Sequence, residues 1–123
     1  MKSEKPHKKL VLWQKVIGFV VLVYEVTKSF PRQEEFGLKS QLRRAAVSVP
    51  SNIAEGLSRK TVQDKLHFLN LAQASLSEID AQVEVSLSLG FIDKENSNKL
   101  DDALSEVERL LNGLIKSIRL VKQ

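Results

Sequence analysis

With 123 residues, 42% of them hydrophobic and 28% charged, the chain can fill one modest core, and its composition is that of a folded domain, not a disordered or fibrous chain. It contains no cysteine, which excludes a disulfide framework and any thiolate metal site. The net charge of +4 sits in the N-terminal half: residues 1–9 carry four lysines against one glutamate and residues 31–60 six basic against three acidic side chains, whereas residues 61–90 are acidic. So modest an excess draws polyanions weakly and without sequence preference.

Residues 1–9 read as a basic flexible tail ahead of a single helical domain, 10–123. The first predicted helix is Leu10–Ser29. Trp13, Ile17, Val20, Tyr24 and Thr27 recur at steps of three and four, with Val16, Phe19, Val23 and Val26 beside them. So wide an apolar sector implies contact on more than one side. Its longest apolar run, Val16–Tyr24, is too short to span a membrane, which takes about 20 residues. No A-x-A-like cleavage site follows it, which argues against a signal peptide. Phe30-Pro31 ends the helix, because a residue before proline is pushed out of the helical region.

The second helix, Phe36–Arg59, is unusual on every face. At about 100° per residue, Leu38, Leu42, Ala45, Val49 and Ile53 form a core stripe. Gln41, Arg44, Ser48, Ser51, Asn52 and Glu55 make a polar side whose middle is small and uncharged. Lys39, Arg43, Val47, Pro50 and Ala54 make a third. A solvated face alternates Lys and Glu, so the small polar side suits contact with another polypeptide. Pro50 predicts a kink, with Ser48 and Ser51 placed to satisfy nearby backbone groups. Thr61-x-x-Asp64 reads as a capping box opening a third helix with the seam Leu66, Leu69, Ala72, Leu76, Ile79, Val83 and Leu87, closed by Gly90 in the left-handed region. Asp93 opens a fourth. There Leu100, Leu104, Val107, Leu111, Leu114, Ile118 and Val121 alternate steps of four and three, the spacing of coiled-coil packing. Acidic residues crowd its first half and Lys116, Arg119 and Lys122 its last, complementing the helix dipole. Short connections between long helices predict an all-α, antiparallel up-down-up-down four-helix bundle.

The segment SQLRRAAVSVPSNIAEG, Ser40–Gly56, resembles the signature of the four-helix bundle family encoded by intervening sequences in bacterial large-subunit ribosomal RNA genes. The resemblance extends over LWQKVIGFVVLVYEVTKSFP, over FLNLAQASLSEIDAQVEVSLSLGFI and over the final helix, nearly the whole chain. It implies a cytoplasmic homopentamer. It also implies a distant relation to accessory proteins of diversity-generating retroelements, which bind a reverse transcriptase and RNA.

The residues themselves give little support for chemistry. The single Glu-x-x-His, Glu4–His7, lies in the tail and is broken by Pro6, so a di-iron bundle is not predicted, and His67 stands alone. There is no G-x-S-x-G and no phosphate loop. Glu78 and Asp80 point about 200° apart and cannot work as one acid–base pair. The expectation is therefore a protein that is not an enzyme, with no cofactor, metal, small-molecule substrate or membrane. It would act as a scaffold or interaction module for other macromolecules. The alternative is an electrostatic RNA-binding accessory factor, using Lys39, Arg43, Arg59 and Lys60 on phosphates. Arg44, Ser48, Pro50, Ser51, Asn52 and Glu55 take structural or subunit-contact roles, with Arg44 reaching Glu55 or a neighbouring subunit. The one Trp and one Tyr fall in the apolar sector of the first helix, so base-stacking platforms are missing.

Overall fold

In the computed structural model, which describes residues 5–121, four α-helices account for most of the chain: α1 Val11–Thr27, α2 Leu38–Leu57, α3 Val62–Ser88 and α4 Lys94–Arg119. α1 packs on α2 and α4, and α3 packs on α2 and α4, which closes a four-helix ring around one core. The connections α2–α3 and α3–α4 span only a few residues, so successive helices run antiparallel.

The helix ends follow from local chemistry. Thr61 Oγ1 accepts the Asp64 N–H at 3.1 Å and Asp93 Oδ1 the Asn96 N–H at 2.8 Å, each satisfying a donor of the first turn. At the end of α3, Gly90 (φ +81°) lets the Phe91 N–H reach Ser86 O and the Gly90 N–H reach Leu87 O, a complete Schellman closure. α2 starts two residues later than predicted. Its entry is a 3₁₀ turn, Arg32–Glu34, and the Glu34 carboxylate accepts the Leu38 N–H at 2.9 Å. Ahead of α1, Pro6–Lys9 form another 3₁₀ turn, with His7 edge-on to Trp13 at 4.6 Å. The first four residues of the predicted tail lie outside the described residues.

The predicted core stripes of α2 and α3 are buried, apart from half-buried Leu38, Leu66 and Leu87 at their ends. Two stripes are corrected. In α1 the buried line is Leu12, Val16, Phe19, Val23 and Val26, while Ile17 and Tyr24 are exposed and Trp13 is half-buried. The apolar sector is wider than the core it faces, and its centre is rotated from the predicted one. In α4 the heptad holds through Leu111, after which Ile115 is buried and Val121 is exposed beyond the helix. A straight helix of 3.6 residues per turn drifts from a 3.5 repeat by about 20° per heptad, and the seam shifts accordingly. Gln82 and Ser86 are buried although the sequence marked neither. Ser86 Oγ donates to Gln82 O at 2.7 Å, and Gln82 Nε2 reaches Glu78 at 3.3 Å.

Gly56 and Ser58 are the two candidates for the end of α2, and Ser58 is the residue that caps it, whereas Gly56 does not end the helix. Gly56 lies inside the helix and is buried where α2 crosses α3. A Cβ there would stand 3.1 Å from Lys65 O, 3.2 Å from Phe68 Cβ and 3.3 Å from Leu69 Cγ. Gly56→Val should therefore destabilise the fold by about 1–3 kcal/mol through overpacking, read as a lower midpoint in urea unfolding. Gly90→Ala, strained at its positive φ but uncrowded, should cost about 1–2 kcal/mol.

Candidate interaction surface

Arg43 ties α1 to α2. Its Nε donates to Thr27 Oγ1 at 2.9 Å and its Nη2 to Tyr24 O at 3.0 Å, and the guanidinium lies 4.4 Å from the centre of the Tyr24 ring. The Thr27 hydroxyl, fully buried, donates onward to Val23 O at 2.8 Å. A fixed cation thus sits at the C-terminal carbonyls of α1, where the helix dipole favours it.

Two of the other three predicted phosphate contacts are also engaged within the chain. Lys39 pairs with Glu35 at 3.0 Å, and Arg59 pairs with Glu55 at 2.6 Å while lying 4.7 Å from the Phe68 ring centre. Lys60 is exposed on the α2–α3 turn. Lys39 and Arg43 sit at the start of α2 and Arg59 and Lys60 beyond its end, separated by about 30 Å of helix, so the four do not form one patch. Glu55 takes Arg59 and not Arg44. Arg44 is exposed and has no hydrogen-bond or ion-pair partner among the described residues.

The small polar residues of α2 serve its own backbone and α3. α2 runs unbroken through Pro50, whose missing N–H leaves Ala46 O without its intrahelical donor. Ser48 Oγ donates to Ala45 O at 2.6 Å and Ser51 Oγ to Val47 O at 2.9 Å, the carbonyls on either side. Asn52 Nδ2 donates to Ser48 O at 2.9 Å, and the Ser48 and Ser75 hydroxyls bridge α2 and α3 at 2.6 Å.

The outer face of the α1–α2 pair carries apolar side chains that the core does not cover. Arg43 marks the side of α1 facing α2, because it reaches Tyr24 there. Exposed Ile17 and Val21 continue from Tyr24 along α1 at helical steps, and Val47, one turn from Arg43, lies opposite on α2. At one end of this strip the 3₁₀ turn before α1 and the last turns of α2 enclose a cavity of about 560 Å³ lined by Pro6, Leu10, Ser51, Ala54, Glu55 and Leu57 among others. At the other end Tyr24, Glu35, Phe36, Lys39, Ser40, Arg43 and Arg44 surround a depression of about 390 Å³. Phe36 is 95% exposed there. The expectation that stacking aromatics are missing is thus overturned. The sequence places Phe36 at the first position of the second helix without a role on any of its faces, whereas the structure puts it on the entry turn before Leu38. An apolar residue between Glu34-Glu35 and Gly37 was the available signal.

On the opposite side, Asp80 and Glu108 face each other across α3 and α4. Burial first, and the Asp80 charge second, push the Glu108 carboxyl above its usual range. A carboxyl raised on folding binds protons more tightly in the native state, so its contribution is lost as pH rises through the folded value. Glu108→Gln should leave the melting temperature unchanged in acid and raise it slightly at neutral pH. Arg43→Leu, which leaves Tyr24 O and Thr27 without their donor, should cost about 1–3 kcal/mol. Arg43→Lys should recover only part, lacking the fork. Glu55→Ala should change stability by less than about 1 kcal/mol, because its ion pair is exposed.

Among the described residues no helix is long and apolar enough to cross a membrane, and no group of His, Asp or Glu side chains is arranged to hold a metal ion. No curated protein matches the chain. A solved structure of a protein of unknown function from the S23 ribosomal protein family of Bacteroides thetaiotaomicron is 25% identical, superposes with a TM-score of 0.77, and covers 86% of this chain and 99% of its own. The sequence model of the 23S rRNA-intervening sequence proteins matches residues 8–113. The chain belongs to the 23S rRNA-intervening sequence protein family.

Proposed function

We propose that the protein is a non-enzymatic scaffold that assembles from several copies of itself and presents its remaining faces to other macromolecules. The observation that carries this reading is the exposed apolar strip of Leu10, Ile17, Val21 and Val47 along α1 and α2. Single apolar residues on a surface are ordinary, but a continuous strip beside an apolar cavity marks an interaction site. Ser51 and Ala54, small residues on α2 beside that cavity, permit a second helix to approach closely. A second copy is the occupant proposed, with five copies the number that the family resemblance implies.

Light scattering on the purified protein should give a mass several times 13.9 kDa. Val21→Glu puts a charge in the middle of the strip. It should lower that mass while leaving the helical content and melting cooperativity of the subunit intact, since Val21 is already 51% exposed. A wild-type monomer at micromolar concentration would contradict the reading, as would a Val21→Glu protein that assembles normally.

A further inference from the structure

We infer that the depression at the start of α2 is a binding site for single-stranded nucleic acid, in which a base stacks on Phe36 and an adjacent phosphate is held by Arg44. The site is complete within one chain and does not depend on self-association.

Phe36 is held by its backbone and not by its side chain. The flanking Gly37 N–H donates to Glu34 O at 3.1 Å and the Leu38 N–H to the Glu34 carboxylate at 2.9 Å, so an anchored turn presents a ring that is almost wholly in water. Leaving a phenyl ring there costs the hydrophobic stabilisation that burial would give, and nothing in the fold uses it. The electrostatics around it are lopsided. Of the two neighbouring carboxylates, Glu35 is paired with Lys39, while Glu34 accepts the first N–H of α2 and keeps its charge. Arg43 is fixed against Tyr24 with one terminal nitrogen unassigned, and Arg44 is unpaired among the described residues. The depression therefore combines an accessible aromatic face with the guanidinium charges of Arg43 and Arg44 on the same lining, in excess of the Lys39–Glu35 pair, and Ser40 adds a hydroxyl at its wall.

Those two elements are what single strands require, a platform for an unstacked base and a cation for its backbone. An acidic peptide would engage Arg44 but leave Phe36 in water. A duplex would offer phosphates but keep its base faces stacked internally. A base on Phe36 and a phosphate on Arg44 use both. Exposed Lys28 and Arg32, on the same α1–α2 connection, extend the positive surface along which a strand continues.

Fluorescence anisotropy with labelled oligouridylate and oligodeoxythymidylate, at low and near-physiological salt, tests the assignment. Phe36→Ala should weaken binding about ten-fold, within the range for loss of one stacked base. Arg44→Gln should flatten the dependence of log affinity on log salt by about one phosphate contact. Both variants should keep the wild-type mass in light scattering, and duplex competitor should displace the strand poorly. Loss with oligouridylate alone identifies RNA as the natural source, and loss with both identifies single strands in general; either result supports the site. The assignment is overturned if the wild type binds neither strand, if Phe36→Ala binds as the wild type does, or if duplex competes equally. It is also overturned if Phe36→Ala lowers the assembled mass, which would make Phe36 a subunit contact. None of the binding outcomes bears on whether the protein self-associates.

Discussion

The rest of the bundle depends on how closely α2 can lie against α3. At Gly56 the space a Cβ would take is already filled by the Lys65 carbonyl, Phe68 and Leu69. Buried Ala45 and Ala46 keep α2 slim elsewhere, and Ala72 does the same for α3. Dispersion and apolar burial both strengthen when small side chains bring two backbones together. That closeness also sets the hydroxyls of Ser48 and Ser75 within bonding distance across the pair. The α2–α3 pair is accordingly the most extensive in the molecule, and α1 is then fastened to it through Arg43.

This arrangement accounts for the unusual composition of α2. A helix that touches its neighbour so closely cannot carry Lys and Glu on the touching side, so Ser48 and Asn52 stand there and return their polar groups to the backbone. The proline is accommodated in the same way, by hydroxyl groups at the carbonyls flanking the one it frees. The charged residues that remain are mostly engaged locally, Lys39 and Arg59 paired with carboxylates four residues away and Arg43 held, still charged, by carbonyl and ring. Arg44 alone among these arginines keeps its full charge toward solvent. The two ion pairs leave the basic excess of residues 31–60 unchanged, but that excess is divided between the two ends of α2 and does not form one patch.

Much of this was legible in the chain. The seams of α2 and α3, the caps at Thr61 and Asp93 and the left-handed Gly90 are local matters of spacing and side-chain chemistry, and the sequence states them directly. The resemblance carried by Ser40–Gly56 named the family that the sequence comparison shows. What the chain does not state is which part of a wide apolar sector faces inward. Ile17 and Tyr24 were placed in the core of α1 because periodicity sees hydrophobicity and not the partner helix, and they lie outside. The drift of the α4 seam to Ile115 has the same origin. The site residues were harder still. Charge alone grouped Lys39 and Arg43 with Arg59 and Lys60, although a full helix separates them, and Phe36 was passed over because it was taken as the first residue of α2 and not as part of an exposed turn.

The central claim is that the apolar strip of Ile17, Val21 and Val47 on α1 and α2 is covered in the working protein. Because the chain has no cysteine, a single thiol can report on it. Val21→Cys places one in the middle of the strip and Asn70→Cys places one on the exposed surface of α3. Alkylation rates of the two, measured in the native assembly and again in denaturant, test the claim directly. The account predicts that the thiol at position 21 reacts at least about ten-fold more slowly than that at position 70 in the native protein, and equally fast once unfolded. Equal rates in the native protein would show the strip open to water and contradict it.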